Sequence, residues 1–175
     1  MSDERVPDAP KLAFATINVV GGVAVLGSYV LWLSNPSNDA GALWGSIDGA
    51  GRTLYATSMF AAAAGYFLFV PYLLRRDADR TPFAWINLLL ALVLFPSALW
   101  MPLAFEYLDG PSAAGWWAMR GTLGVVGLAS LGLVGTLARL RPASPGRALA
   151  VVGALAFTFQ TLVLDALAWP LCFPR

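Results

Sequence analysis

Two ionisable side chains, Arg120 and Asp165, stand inside otherwise apolar stretches of this chain, and Arg52 and Glu106 stand at the borders of two others. A charge some way into hydrocarbon costs about 2.5–3.5 kcal/mol on insertion scales unless it snorkels, pairs or meets water. Arg120 and Asp165 could pair with each other, Arg120 could pair with Glu106, or both could serve a polar site. Other chemistries are excluded by composition. No histidine is present, which removes His-ligated haem, imidazole-bound zinc, and Ser-His-Asp or Cys-His catalysis. The single Cys172 can form no internal disulfide, and no phosphate loop or dinucleotide fingerprint occurs. Asp165 with Glu106 is the one candidate acid–base pair, as a sterol or carotenoid isomerase would need. Enzymatic activity has little support, and neither a catalytic residue nor a metal site is assigned.

The tryptophans point to where a ligand would sit. Trp32, Trp44, Trp100, Trp116, Trp117 and Trp169 fall toward one end of the helices expected below, and only Trp85 falls toward the other. An aromatic belt populates both membrane interfaces, so the bias leaves two readings open, a one-sided belt or an aromatic-lined pocket.

The elements that must carry these residues are five apolar runs, Leu12 to Leu33, Leu54 to Leu74, Phe83 to Phe105, Ala113 to Ala138 and Ala148 to Trp169. Each is long enough to cross a hydrocarbon core, which takes roughly 20 residues. With 58% hydrophobic and 12% charged residues and a mean hydropathy of +0.68, the fold class expected is an all-α integral membrane protein, a five-transmembrane-helix bundle. Residues 12–175 form its single domain, and residues 1–11 read as a disordered tail. The acidic leader and the length of the first run argue for a retained helix rather than a cleaved signal. Alternating helices put Arg5, Lys11, Arg75, Arg76, Arg80, Arg139, Arg141 and Arg147 on one face and leave the other Arg52 and Arg175. The positive-inside rule then places the N-terminus in the cytoplasm and the C-terminus outside. The loop Ser34 to Arg52, with its turn residues and Trp44, suits a lid over the outer end and equally suits a merely flexible connection. Pro96 and Pro102 interrupt hydrogen bonding in the third helix and would open space beside Trp100 and Phe105. Gly21, Gly22 and Gly27, the run Ala61 to Gly65, and Gly121, Gly124, Gly127, Gly132 and Gly135 let helices approach closely, within one chain or across a homodimer.

Several segments resemble the tryptophan-rich sensory protein, or translocator protein, family (TspO/MBR). Pro36-Ser37, Trp44, Thr53-Leu54-Tyr55, Met59 and Gly65-Tyr66 are similar to that family's first loop and second helix. Trp100-Met101-Pro102-Leu103-Ala104-Phe105 is similar to its W-P-P-x-F-F segment, and Gly115-Trp116 to its fourth-helix opening. Leu164-Asp165-Ala166-Leu167-Ala168-Trp169 is similar to its L-N-x-x-V-W ending, with Asp165 where the family has Asn. The spacing from Leu155-Ala156-Phe157 to Asp165 is several residues longer than the family's. The resemblance implies a five-helix bundle, often dimeric, whose aromatic pocket binds porphyrins, sterols or other flat hydrophobic ligands. Trp100, Pro102 and Phe105 would form one wall and Trp116 and Trp169 another, with Trp44 and Tyr55 at the mouth and Arg120 and Asp165 orienting the ligand. No cofactor is expected beyond a porphyrin ligand. The partners expected are the bilayer, the hydrophobic ligand and a second copy of the chain, with no nucleic acid. A small transporter and an accessory subunit of a larger membrane complex are the alternatives.

Overall fold

In the computed structural model, which describes residues 9–77 and 81–174, five long helices account for most of the chain and no strand occurs among the described residues. They are α1 (Ala9–Leu33), α2 (Gly49–Leu74), α3 (Phe83–Asp109), α4 (Ala113–Arg139) and α5 (Pro145–Cys172), each long and apolar enough to span a membrane. The chain is thus an all-α, five-helix, multi-pass membrane protein. Residues 1–8, most of the expected tail, and Arg80 and Arg175 from the charge argument lie outside the described residues. Ala9 to Lys11, also placed in that tail, form the first turn of α1.

The helices run past the apolar segments because polar residues cap them. The Ser112 hydroxyl accepts from the Gly115 amide at the start of α4, and Ser144 accepts from the Arg147 amide at the start of α5. At the other ends, Glu106 to Asp109 prolong α3 by a turn beyond Phe105. α2 begins at Gly49, inside the expected loop, so the connection from α1 is shorter than the sequence implied, and a 3-10 turn occupies Ala42–Trp44. α3 continues through Pro96 and Pro102, and beside Pro96 the Ser97 hydroxyl donates to the Val93 carbonyl at 2.6 Å.

Packing follows the order α1, α3, α4, α5, α2. α1 lies along α3 through Phe14, Gly21 and Ser28, one residue every seven, and its remaining surface is largely exposed. α1 and α2 meet only sparsely. Their seam is bridged where the Tyr66 hydroxyl donates to the Asn18 side-chain oxygen.

Glycines set the closest approaches. A Cβ on Gly65 would lie 2.2 Å from the Gly153 carbonyl oxygen, and one on Gly153 would lie 2.5 Å from that of Gly65, so α2 and α5 touch backbone to backbone. Gly127 and Gly132 admit Leu162 and Leu89 in the same way. Gly22, Gly27, Gly121, Gly124 and Gly135 have no such neighbour.

The last turns of α5 are wound differently. Phe159–Ala168 is a π-helix, which covers most of the interval from Phe157 to Asp165. Its wider turn directs Gln160, Thr161, Leu164 and Ala166 into the bundle. Thr161 there shares a hydrogen bond with Ser130 of α4 at 2.8 Å.

Gly65→Ala is expected to cost about 1–3 kcal/mol or more by overpacking, whereas Gly121→Ala, in open space, is expected to be neutral or slightly stabilising. Denaturant titration of the micellar protein compares them, and equal stability of the two variants would contradict the α2–α5 contact.

Candidate aromatic site beneath the first loop

One end of the bundle holds a second core, separate from the one around Phe14, Phe69 and Leu90 that fills the rest of the bundle. It comprises Leu43, Ile47, Tyr55, Met101, Phe105, Tyr107, Trp116, Leu164, Trp169 and Phe173, with Tyr29, Trp32, Trp44 and Trp100 packed against it. The rings form a continuous series. Tyr29 meets Trp100 at 6.1 Å, Trp100 meets Trp169 edge-on at 5.6 Å, and Trp169 meets Phe173 at 4.1 Å. Phe173 stacks on Trp116 at 6.5 Å. Trp32 stacks on Phe105 at 6.0 Å, and Trp44 meets Tyr55 edge-on at 6.3 Å.

The first loop is fastened over this cluster. The Trp169 indole N–H donates to the Leu43 carbonyl at 2.8 Å, and the Ser46 amide and hydroxyl both donate to the Cys172 carbonyl, at 2.9 and 3.2 Å. Gly45 has φ +52°, and a Cβ there would lie 2.2 Å from the Cys172 carbonyl oxygen, so both its backbone conformation and its surroundings require glycine. Arg52 closes the loop from the other side, donating to the Ile47 carbonyl at 2.8 Å and lying over the Trp44 ring at 5.4 Å.

The residues singled out in the sequence divide into two groups. Trp44, Tyr55, Trp100, Phe105, Trp116 and Trp169 belong to this aromatic cluster. Pro102 continues α3 between Trp100 and Phe105 and is partly buried. The walls drawn through Trp100 and through Trp116 and Trp169 do not stand apart, because Trp169 touches Trp100 directly and Phe173 fills the space between Trp169 and Trp116. Arg120 and Asp165 are not brought together. Arg120 lies over the rings of Trp116 and Trp117, at 5.8 and 5.5 Å, and no ion pair joins it to Asp165 or Glu106 among the described residues. Trp117 is 65% exposed, which places Arg120 toward the rim, where a cation over aromatic faces is favourable.

Asp165 faces inward and has a partner the sequence did not suggest. The Gln160 side-chain amide donates to its carboxyl at 2.7 Å. On an α-helix, residues five apart point about 140° away from each other, whereas a π turn repeats at that interval and brings them onto one side. The Tyr55 hydroxyl donates to the Leu164 carbonyl at 2.8 Å, within the π-helix. Two further polar atoms are buried here with no hydrogen-bond partner, the Trp100 indole nitrogen and the Gln160 side-chain oxygen. Gln160, 5% exposed, is the single glutamine of the chain, and its place in an apolar run was the available signal.

No protein-family model, curated protein or solved structure matches the chain.

Trp169→Phe keeps the ring contacts and removes the bond to Leu43, a loss of about 1 kcal/mol. Amide exchange across residues 42–48 is expected to accelerate severalfold. Unchanged exchange there would contradict the fastening of the first loop by Trp169.

Proposed function

We propose that this chain is a membrane-embedded binding protein or sensor for a flat hydrophobic ligand of porphyrin or sterol-like type, which docks among the aromatic residues beneath the first loop. The observation that carries the reading is the set of polar atoms within that apolar cluster. Trp100 offers an unused donor and Gln160 an unused acceptor, beside the partly buried carboxyl of Asp165. Buried polar groups without partners are uncommon and mark places where something else completes the bonding. A planar ligand with a donor and an acceptor on its edge satisfies both groups while its faces lie on Tyr29, Trp100 and Trp169. Ring contacts of that kind contribute about 0.5–1.5 kcal/mol per pair beyond area burial.

Access is from the bilayer. The sparse contact between α1 and α2 leaves a seam between those two helices, with Tyr29 on α1 and Tyr55 on α2. A hydrophobic ligand partitioned into lipid reaches the cluster there by displacing the contact between Tyr29 and Trp100, without crossing the fastened first loop. The TspO-like segments named above contribute Tyr55, Trp100, Asp165 and Trp169 to this region, in keeping with a distant relationship to that family. The larger number of basic residues in the loops at the opposite end supports a cytoplasmic location for that end, with the aromatic end facing outward.

Titration of the micellar protein with protoporphyrin IX, followed by tryptophan fluorescence, tests the reading. Saturable quenching in the micromolar range is expected for the native chain. Trp100→Phe, which keeps a ring but loses the N–H, is expected to weaken binding about 5- to 10-fold, the equivalent of one buried hydrogen bond. Linear, non-saturating quenching of equal slope in both proteins would mean simple partitioning and would overturn the reading.

A further inference from the structure

The end of the bundle opposite the aromatic cluster carries two neighbouring cavities formed by residues 75–77 after α2, the start of α3, and the end of α4 with the turn that follows it. The larger, about 640 Å³, is lined by Arg75, Arg76, Asp77, Arg141, Pro142 and Ala143. The smaller, about 380 Å³, is lined by Pro82, Trp85, Thr136, Arg139, Leu140 and Arg141. Arg141 is common to both, and Asp77 is the one acidic residue on either lining among the described residues.

The arginines at this end have different tasks. The Arg147 guanidinium donates to the Leu140 carbonyl at 2.8 Å, holding the α4–α5 turn. The Arg76 guanidinium donates to the Arg141 carbonyl and lies over the Tyr72 ring at 5.8 Å, so it ties α2 to that turn. The Arg76 Nε–H is buried and has no acceptor. By contrast, the side chains of Arg75, Arg139 and Arg141 make no hydrogen bond, ion pair or ring contact among the described residues. Basic loops alone would orient a membrane protein. Here two arginines instead build a concave framework, which holds further guanidinium groups around a space where Asp77 is the one acidic group among the described residues.

We propose that these cavities bind a phosphate group at the membrane surface, with Arg75 and Arg141 as its principal ligands and Arg139 on its far side. Guanidinium groups match phosphate oxygens in bidentate geometry and carry charge at every physiological pH. The depth is that of a lipid headgroup, because Trp85, which lines the smaller cavity in the first turn of α3 and is 51% exposed, stands where indoles meet the polar interface. Binding there would clamp the α2–α3 and α4–α5 connections to each other through one anion.

The test uses the full chain in a neutral detergent, with bound lipid counted by native mass spectrometry. Phosphatidylglycerol, phosphatidylcholine and inorganic phosphate are the probes, and Arg141→Gln, Arg75→Gln and Lys11→Gln are the variants. Lys11 starts α1 at the same end of the bundle but lines neither cavity. Retention of phosphatidylglycerol over phosphatidylcholine is expected, weakened about fivefold by each arginine change and unaltered by Lys11→Gln. Arg75 is exposed and makes no contact among the described residues, so its variant reports on the site without loss of fold. Displacement of the lipid by millimolar inorganic phosphate would support the same site with a free phosphate compound as its natural occupant. Equal retention of both lipids, or equal loss in all three variants, would overturn the proposal.

Discussion

Inside hydrocarbon a peptide group has no water to bond, so each spanning segment must satisfy its own backbone, and helices do this residue by residue. The same solvent removes the hydrophobic drive that would press those helices together, and cohesion falls to close packing. In this chain that requirement is met most tightly at Gly65 and Gly153, where two backbones come into contact and hold α5 against α2. α5 in turn carries the π-helical stretch, Asp165 and the C-terminal turn to which the first loop is fastened. The position of every group in the aromatic cluster relative to α2 therefore depends on a contact that a single methyl group would disrupt.

Against this close packing, α1 is held on one side only. It lies on α3 through a narrow stripe, and its link to α2 is one hydrogen bond between Tyr66 and Asn18. The bundle is thus closed more tightly along its other four seams than between α1 and α2. A π turn sacrifices regular α-helical bonding, and in this chain it brings Gln160 onto Asp165. Local departures of this sort gather at functional positions because they orient side chains that a regular helix would turn elsewhere.

Much of this architecture was legible in the residues. Length and hydropathy identified the five helices, because lipid imposes one dominant rule on composition. The uneven distribution of tryptophans located the aromatic cluster, and six of the nine residues chosen for the site lie in it. What could not be read depended on geometry that periodicity does not encode. An α-helical register separates Gln160 from Asp165, so their hydrogen bond was hidden until the π turn was visible. Arg120 looked like a partner for Asp165 because both are charged and near one end, yet its helix turns it toward Trp116 and Trp117. Phe173 lies beyond the last apolar run, and its insertion between Trp116 and Trp169 joins the two walls into one cluster.

The central claim is that a flat ligand lodges among Tyr29, Trp100 and Trp169 rather than dissolving around the bundle. Protoporphyrin IX is itself a photosensitiser, so brief illumination of its complex with the micellar protein, followed by peptide mass spectrometry, maps where it resides. Trp85 and Trp117, both exposed on the bundle surface, serve as internal references. Oxidation concentrated on Tyr29, Trp100 and Trp169 and sparing the two exposed tryptophans is the result the account predicts, and heavier oxidation of Trp85 and Trp117 would contradict it.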